Sequence, residues 1–155
     1  MNSMNSMIIR YMWMDHLFIL LKFFTANIVL DTNVLVSALW SFDSKPGAIV
    51  NAVIDRRITV CYDYRILEEY AKVLHRPKFK FNDWEINYLL DTIIKNGISV
   101  IPKPLINTPF VDEGDRKLFE VAIFCDTYVV TGNVKHYSQD SHVITVAEFY
   151  DKYLG

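Results

Sequence analysis

The chain has 155 residues, 52% apolar and 22% charged, with sixteen basic and eighteen acidic side chains and a formal charge of −2. That is enough for one domain with a sizeable core, and it excludes a disordered or low-complexity polymer. It also excludes a general basic coat for nucleic acid, so any such contact needs a local patch or bound cations.

The first 26 residues hold all five methionines. Their longest apolar stretch, residues 17–24, is interrupted by Lys22 and is far short of the ~20 residues that cross a bilayer. Arg10 ahead of a short apolar region raises a signal peptide, but Phe24-Thr25-Ala26 makes a poor cleavage site. The expectation is an extension over 1–26, either an upstream reading frame with Met12 or Met14 as alternative starts or a terminal helix, ahead of a domain over 27–155.

From Asn27 the pattern alternates. Residues 28–30 read as a strand buried on both faces, ending abruptly in Asp31. A helical turn follows over 34–40. Pro46-Gly47 then opens a helix over 48–55. A strand at 58–62 precedes a helix at 64–74, stopped by Arg76-Pro77. Asn82 or Asp83 caps a helix running to Asn96, closed by Gly97. Strands follow at 98–101, 128–131 and 143–146, with helices at 115–126 and 147–154. This alternation predicts a three-layer α/β/α sandwich around a mostly parallel five-stranded sheet. The two cysteines, Cys61 and Cys125, lie far apart, which argues against a zinc site or a disulfide framework and for a reduced, cytoplasmic chain.

In such sheets ligands bind beyond the carboxyl ends of the strands. Asp31 stands at that edge with Thr32 and Asn33, and Asn133 reaches it through Gly132. Asp112 and Asp115 lead into a helix, where Asp115 has the competing reading of an N-cap. On the helix at 64–74 the apolar stripe is Ile66, Leu67, Tyr70, Val73 and Leu74. At about 100° per residue, Glu68 points away from it and Glu69 flanks it. The same projection turns Asp115 inward and Arg116 and Lys117 outward. Inward carboxylates repel one another unless a cation sits between them. Magnesium or manganese would supply that charge, activate water and stabilise in-line attack on a phosphodiester.

Four segments then carry a resemblance: IVLDTNVLVSAL over 28–39, ILEEYAKVLHRPKF over 66–79, VDEGDRKLFEVA over 111–122 and YVVTGN over 128–133. In this order they resemble the motifs of PIN domains, and most closely the VapC-like ribonucleases of toxin–antitoxin pairs. The resemblance implies a metal-dependent endoribonuclease using Mg2+ or Mn2+. It implies Asp31, Glu69 and Asp115 as the catalytic, metal-holding acids and Asp112 as an additional acid. It implies Thr131 as the hydroxyl of the closing motif and Asn33 as the polar partner of Asp31. Asn133 stands where many members have Asp, keeping an oxygen for the metal but losing a charge. The implied partners are an RNA substrate, an antitoxin protein and a second copy of the chain in a homodimer, with no membrane.

Arg76, Lys78 and Lys80 interleave with Phe79 and Phe81, a pattern that suits phosphates and stacked bases and equally suits a solvated loop with two aromatics tucked into the core. Lys135, His136 and Tyr137 follow Asn133 and suggest a further phosphate contact through Lys135, with His136 read as a surface histidine. Trp84, Tyr88 and Leu89 fit either a core or a dimer face. The competing function is a PIN domain weakened at its metal site that binds RNA or protein without cleaving. A phosphoacceptor receiver or an Asp-nucleophile hydrolase fits less well: each wants a second acid near Asp31, where Thr32 and Asn33 stand, and a receiver also wants a lysine after the last strand.

Overall fold

The structure, a computed structural model, describes residues 9, 10, 12, 26–110, 112–133 and 141–155. Expectations for most of residues 1–25, and for Val111, Lys135, His136 and Tyr137, fall outside the described residues.

The elements run β1 (Ala26–Leu30), α1 (Thr32–Trp40), α2 (Lys45–Ile54), β2 (Ile58–Tyr62), α3 (Tyr64–Leu74), α4 (Asp83–Asn96), β3 (Ile98–Ser99), α5 (Arg116–Phe124), β4 (Tyr128–Thr131), β5 (Val143–Thr145) and α6 (Val146–Tyr153). Single 3-10 turns cover Pro77–Phe79 and Glu113–Asp115. The five strands form one sheet in the order β3-β2-β1-β4-β5, and every pairing is parallel. Helices flank it: α5 lies along β1, β2 and β4, and α2 packs on α1, β2 and α6.

Central strands of a parallel sheet are covered on both faces and therefore read as unbroken apolar runs. Ile28, Val29 and Leu30 have no exposed surface, and every residue of β2 is buried. Burying each such side chain is worth ~1.5–3 kcal/mol, so these two strands fix the middle of the core. Local signals set the helix starts. Ser44 accepts from Gly47 N at 3.2 Å ahead of α2, and Asp63 accepts from Ile66 N at 3.0 Å ahead of α3. Thr145 and Glu148 form a reciprocal capping box at α6.

Two expectations change. The third strand is only Ile98–Ser99, and both residues are exposed. It pairs with β2 alone, and an edge strand has one neighbour to hold it. On α4 the alternatives separate: Leu89 is core, whereas Trp84 and Tyr88 are 69% and 57% exposed. Cys61 and Cys125 are both free thiols.

Candidate active site

β1 and β4 are neighbours whose onward connections leave in opposite directions, to β2 and to β5. A crevice opens beyond the carboxyl ends of two such strands. Asp31 and Thr131 stand side by side at that place, continuing the register that pairs Leu30 with Val130. The backbone fixes Asp31, whose N–H donates to Val130 O at 3.0 Å. Asp31 holds the N-cap position of α1, yet its carboxylate makes no capping hydrogen bond. It is turned across the sheet instead, where Oδ2 accepts from Thr131 Oγ1 at 2.8 Å and Asn33 Nδ2 at 3.1 Å.

Thr131 is fully buried, and its hydroxyl also receives Asn33 Nδ2 at 3.3 Å and the Asn133 N–H at 3.1 Å. Asn33 closes the loop by accepting from Gly132 N at 3.1 Å. Asn33 and Thr131 are thus brought directly onto Asp31. Asn133 joins this network through its backbone, and the residue itself is exposed.

Glu69 comes from the middle of α3. Its neighbour Tyr70 is fully buried, and the Tyr70 hydroxyl donates to Leu30 O at 2.5 Å, tying the helix to the end of β1. Glu69 Oε1 accepts from Thr32 Oγ1 at 2.9 Å, and Oε2 pairs with Lys117 Nζ at 2.5 Å. Glu68 is exposed. Asp115 occupies the N-cap position of α5, but its side chain does not cap that helix. Local capping falls to Asp112, whose Oδ1 accepts from Gly114 N at 2.8 Å.

The outward orientation expected for Arg116 and Lys117 does not hold. Lys117's side chain is only 14% exposed and reaches inward to Glu69. Arg116 is held by Glu113 at 2.6 Å and by the carbonyls of Leu105 and Thr108. A helical projection fixes an angle only, whereas a long aliphatic stem carries its charge well away from that direction. Thr32 also went unread as a site residue, although it lies next to Asp31 in the same tip.

The electrostatics of Asp31 are uneven. Burial, first of all, pushes its carboxyl above the usual range, and the nearby charges of Asp115 and Glu69 push it further. The hydrogen bonds from Thr131 and Asn33 pull part of the way back. Three oxygen donors of this hardness suit magnesium or manganese, and a dication would relieve the repulsion that Asp31 feels. In chemistry, then, Asp31, Glu69 and Asp115 fit such an ion. In position they are looser: among the described residues, no three His, Cys, Asp or Glu side chains stand close enough together to hold one.

Thr32, Asn33, Glu69 and Asp115 line an open cavity of about 830 Å³ that continues to Lys72, Arg76, Trp40 and Phe79. Asp112 also lines it. The interleaved segment therefore divides. Phe79 and Phe81 are half-buried against the core and stacked on each other at 5.5 Å, and Arg76 faces the cavity. Lys78 lies over the Phe79 ring at 5.0 Å, and Lys80 is exposed at the end of that turn. Lys135 lies outside the described residues.

An all-parallel five-stranded sheet with helices packed on it, Asp31 at its switch point and Glu69 and Asp115 lining the adjoining cavity, defines the class of layered α/β domains. Residues 27–135 match the PIN domain family, and the chain belongs to that family, whose members are generally nucleases. A relative is the uncharacterized protein MJ1680 of Methanocaldococcus jannaschii, 31% identical over 111 residues, covering 69% of this chain and 70% of the relative. No solved structure matches the chain. Among the described residues, no helix is long and apolar enough to cross a membrane.

Proposed function

We propose that the protein is a metal-dependent endoribonuclease, using Mg2+ or Mn2+, in which Asp31, Glu69 and Asp115 are the working acids. The observation that carries this is the Asp31 carboxylate held by Thr131 and Asn33 at the β1–β4 switch point, beside a cavity lined by Glu69 and Asp115. A bound divalent ion would supply water activation and neutralisation of charge on the phosphodiester. The chain's own residues do the rest. Thr131 and Asn33 hold the Asp31 carboxylate in one orientation. Thr32 does the same for Glu69. Lys117 places a positive charge beside the site, where a phosphate oxygen would be attracted. Asp112, which lines the cavity, would be an additional oxygen donor, and Asn133, tied to Thr131 through its backbone N–H, would be another. The role of toxin opposed by an antitoxin protein belongs to the same reading and rests on the VapC-like motifs of the sequence.

A second reading keeps the fold and binds RNA or protein without cleavage. Two observations favour it: Asn133 in place of an acid, and a lysine already seated on Glu69.

Incubating the full chain with a mixed RNA pool in magnesium, manganese or EDTA separates the two. Cleavage that needs the metal and disappears in Asp31→Ala supports the nuclease. Absence of both cleavage and manganese binding supports the second reading.

A further inference from the structure

The cavity joins two different surfaces. At one end are the acids. At the other is Trp40, a residue 63% exposed although it ends a helix whose other face is core. Helix α1 begins at Thr32, which holds Glu69, and ends at Trp40. At 1.5 Å per residue, that separates the two ends by about 12 Å. Helix α3 makes the same journey, from Glu69 through Lys72 to its end, and Arg76 and Phe79 follow. Both elements therefore lead from the acids to the aromatic end.

Trp40 is supported without being covered by its neighbours. Phe79 and Phe81 meet it at 5.3 and 6.1 Å with interplanar angles of 77° and 63°, so neither lies flat on the indole. The two phenylalanines stack on each other and anchor to the core. Between Trp40 and the acids the cavity presents Lys72 and Arg76. A chain with a net charge of −2 binds a polyanion through bound cations or a local arrangement of this kind.

We propose that Trp40 is a stacking platform for a base of single-stranded RNA, with Lys72 and Arg76 on the phosphates between it and the acids. The proposal rests on the nuclease reading and adds a base-binding subsite about 12 Å from the acids. Stacking needs an unpaired base with a free face, and cations along a groove track a flexible backbone. At ~3.4 Å per stacked nucleotide, 12 Å is about three to four nucleotides from the acids to the platform. A purely apolar protein segment would have no use for the two cations.

The test uses the full chain carrying Asp31→Asn, so that RNA stays intact, in magnesium. The probe is a fluorescein-labelled single strand of mixed sequence, roughly 12 nucleotides long, followed by anisotropy. Adding Trp40→Ala is expected to weaken binding about tenfold. Trp40→Phe should keep most of it, and Trp84→Ala, on an exposed tryptophan outside the cavity, should change nothing. Duplex RNA of the same sequence should show no dependence on Trp40. Equal affinity with and without Trp40, an equal loss on duplex, or no binding of the strand at all overturns the proposal. Hydrolysis of bis(p-nitrophenyl) phosphate, too small to span the groove, reports on the acids alone in the chain with Asp31 intact. If it proceeds normally in Trp40→Ala while RNA binding ignores Trp40, the platform fails and the nuclease stands. If Trp40-dependent binding is present and no metal-dependent hydrolysis of either substrate is found, the nuclease fails and the platform stands.

Discussion

Helices α3 and α5 face each other across two carboxylate clusters of opposite construction. Where α3 begins, the side chains of Asp63 and Glu120 are each 3% exposed, and Arg65 answers both at 2.7 Å. Their remaining oxygens are also engaged: Asp63 Oδ1 accepts from Ile66 N at 3.0 Å, and Glu120 Oε1 from Leu105 N at 3.0 Å. Burial works against the charge on Arg65, but the two carboxylates outweigh it and hold the guanidinium above its ordinary pKa. About one turn further along α3, the polarity of the bridge reverses, with Glu69 on α3 and Lys117 on α5. There Asp31 meets a hydroxyl, an amide and two neighbouring carboxylates rather than a guanidinium. Buried carboxylates that serve only the fold are paired and hydrogen-bonded throughout. At Asp31, burial and the neighbouring charges of Asp115 and Glu69 outweigh the hydrogen bonds from Thr131 and Asn33, and carboxyls shifted in this way gather at functional sites.

Substitution in each cluster should therefore act in opposite ways. The largest expected effect is on activity: Asp31→Asn should lower metal-dependent RNA cleavage on the order of 10³-fold, the worth of several kcal/mol of charge stabilisation. Retention of cleavage within a few-fold would remove Asp31 from the chemistry. Next comes stability. Arg65→Ala leaves two buried acids without their cation, a class of change that costs ~3–5 kcal/mol. That corresponds to a drop of roughly 10 °C in melting temperature for a domain of this size. A loss below about 1 kcal/mol would show that water takes over the role of the half-exposed guanidinium.

Thr131→Val should give a smaller effect with both characters. The buried hydroxyl serves Asp31, Asn33 and Asn133 at once. Its removal should cost ~1–3 kcal/mol and weaken manganese binding about 10–100-fold, as losing a partner of a metal ligand does. Calorimetric titration with manganese alone checks the second number. Unchanged affinity would mean that Thr131 supports the strand end and not the Asp31 carboxylate.

The central part of this comparison was legible in the sequence. Unbroken apolar runs at 28–30 and 58–62 mark strands covered on both faces, and Asp31 closing the first of them places a carboxylate at the sheet edge. The amphipathic stripe of α3 separates Glu69 from Glu68. The Arg65 cluster was not legible, because Asp63 and Glu120 are 57 residues apart and meet only through the packing of α3 on α5. Lys117 was not legible for a related reason: a helical projection turns it outward, whereas the length of its side chain lets its charge reach Glu69. Trp40 looked like the end of a helix, and its company with Phe79 and Phe81 depends on how α1 and the turn after α3 come together.

The smallest effect is the sharpest test of that shift, and it is read in EDTA. Burial, then Asp115 and Glu69, hold the Asp31 carboxyl above its ordinary 3.8 in the folded protein. Between that value and the raised one, the folded state binds more protons than the unfolded state, so stability falls as pH rises through the window. Asn at this position does not titrate. The Asp31→Asn variant should therefore gain on the wild type as pH rises through the window and keep that gain at neutral pH. As pH falls back toward about 4, the difference should shrink to a fixed offset set by the altered hydrogen bonds. Urea unfolding of both proteins at several pH values between about 4 and 7 measures it. A difference independent of pH would mean that Thr131 and Asn33 already balance the charge on Asp31.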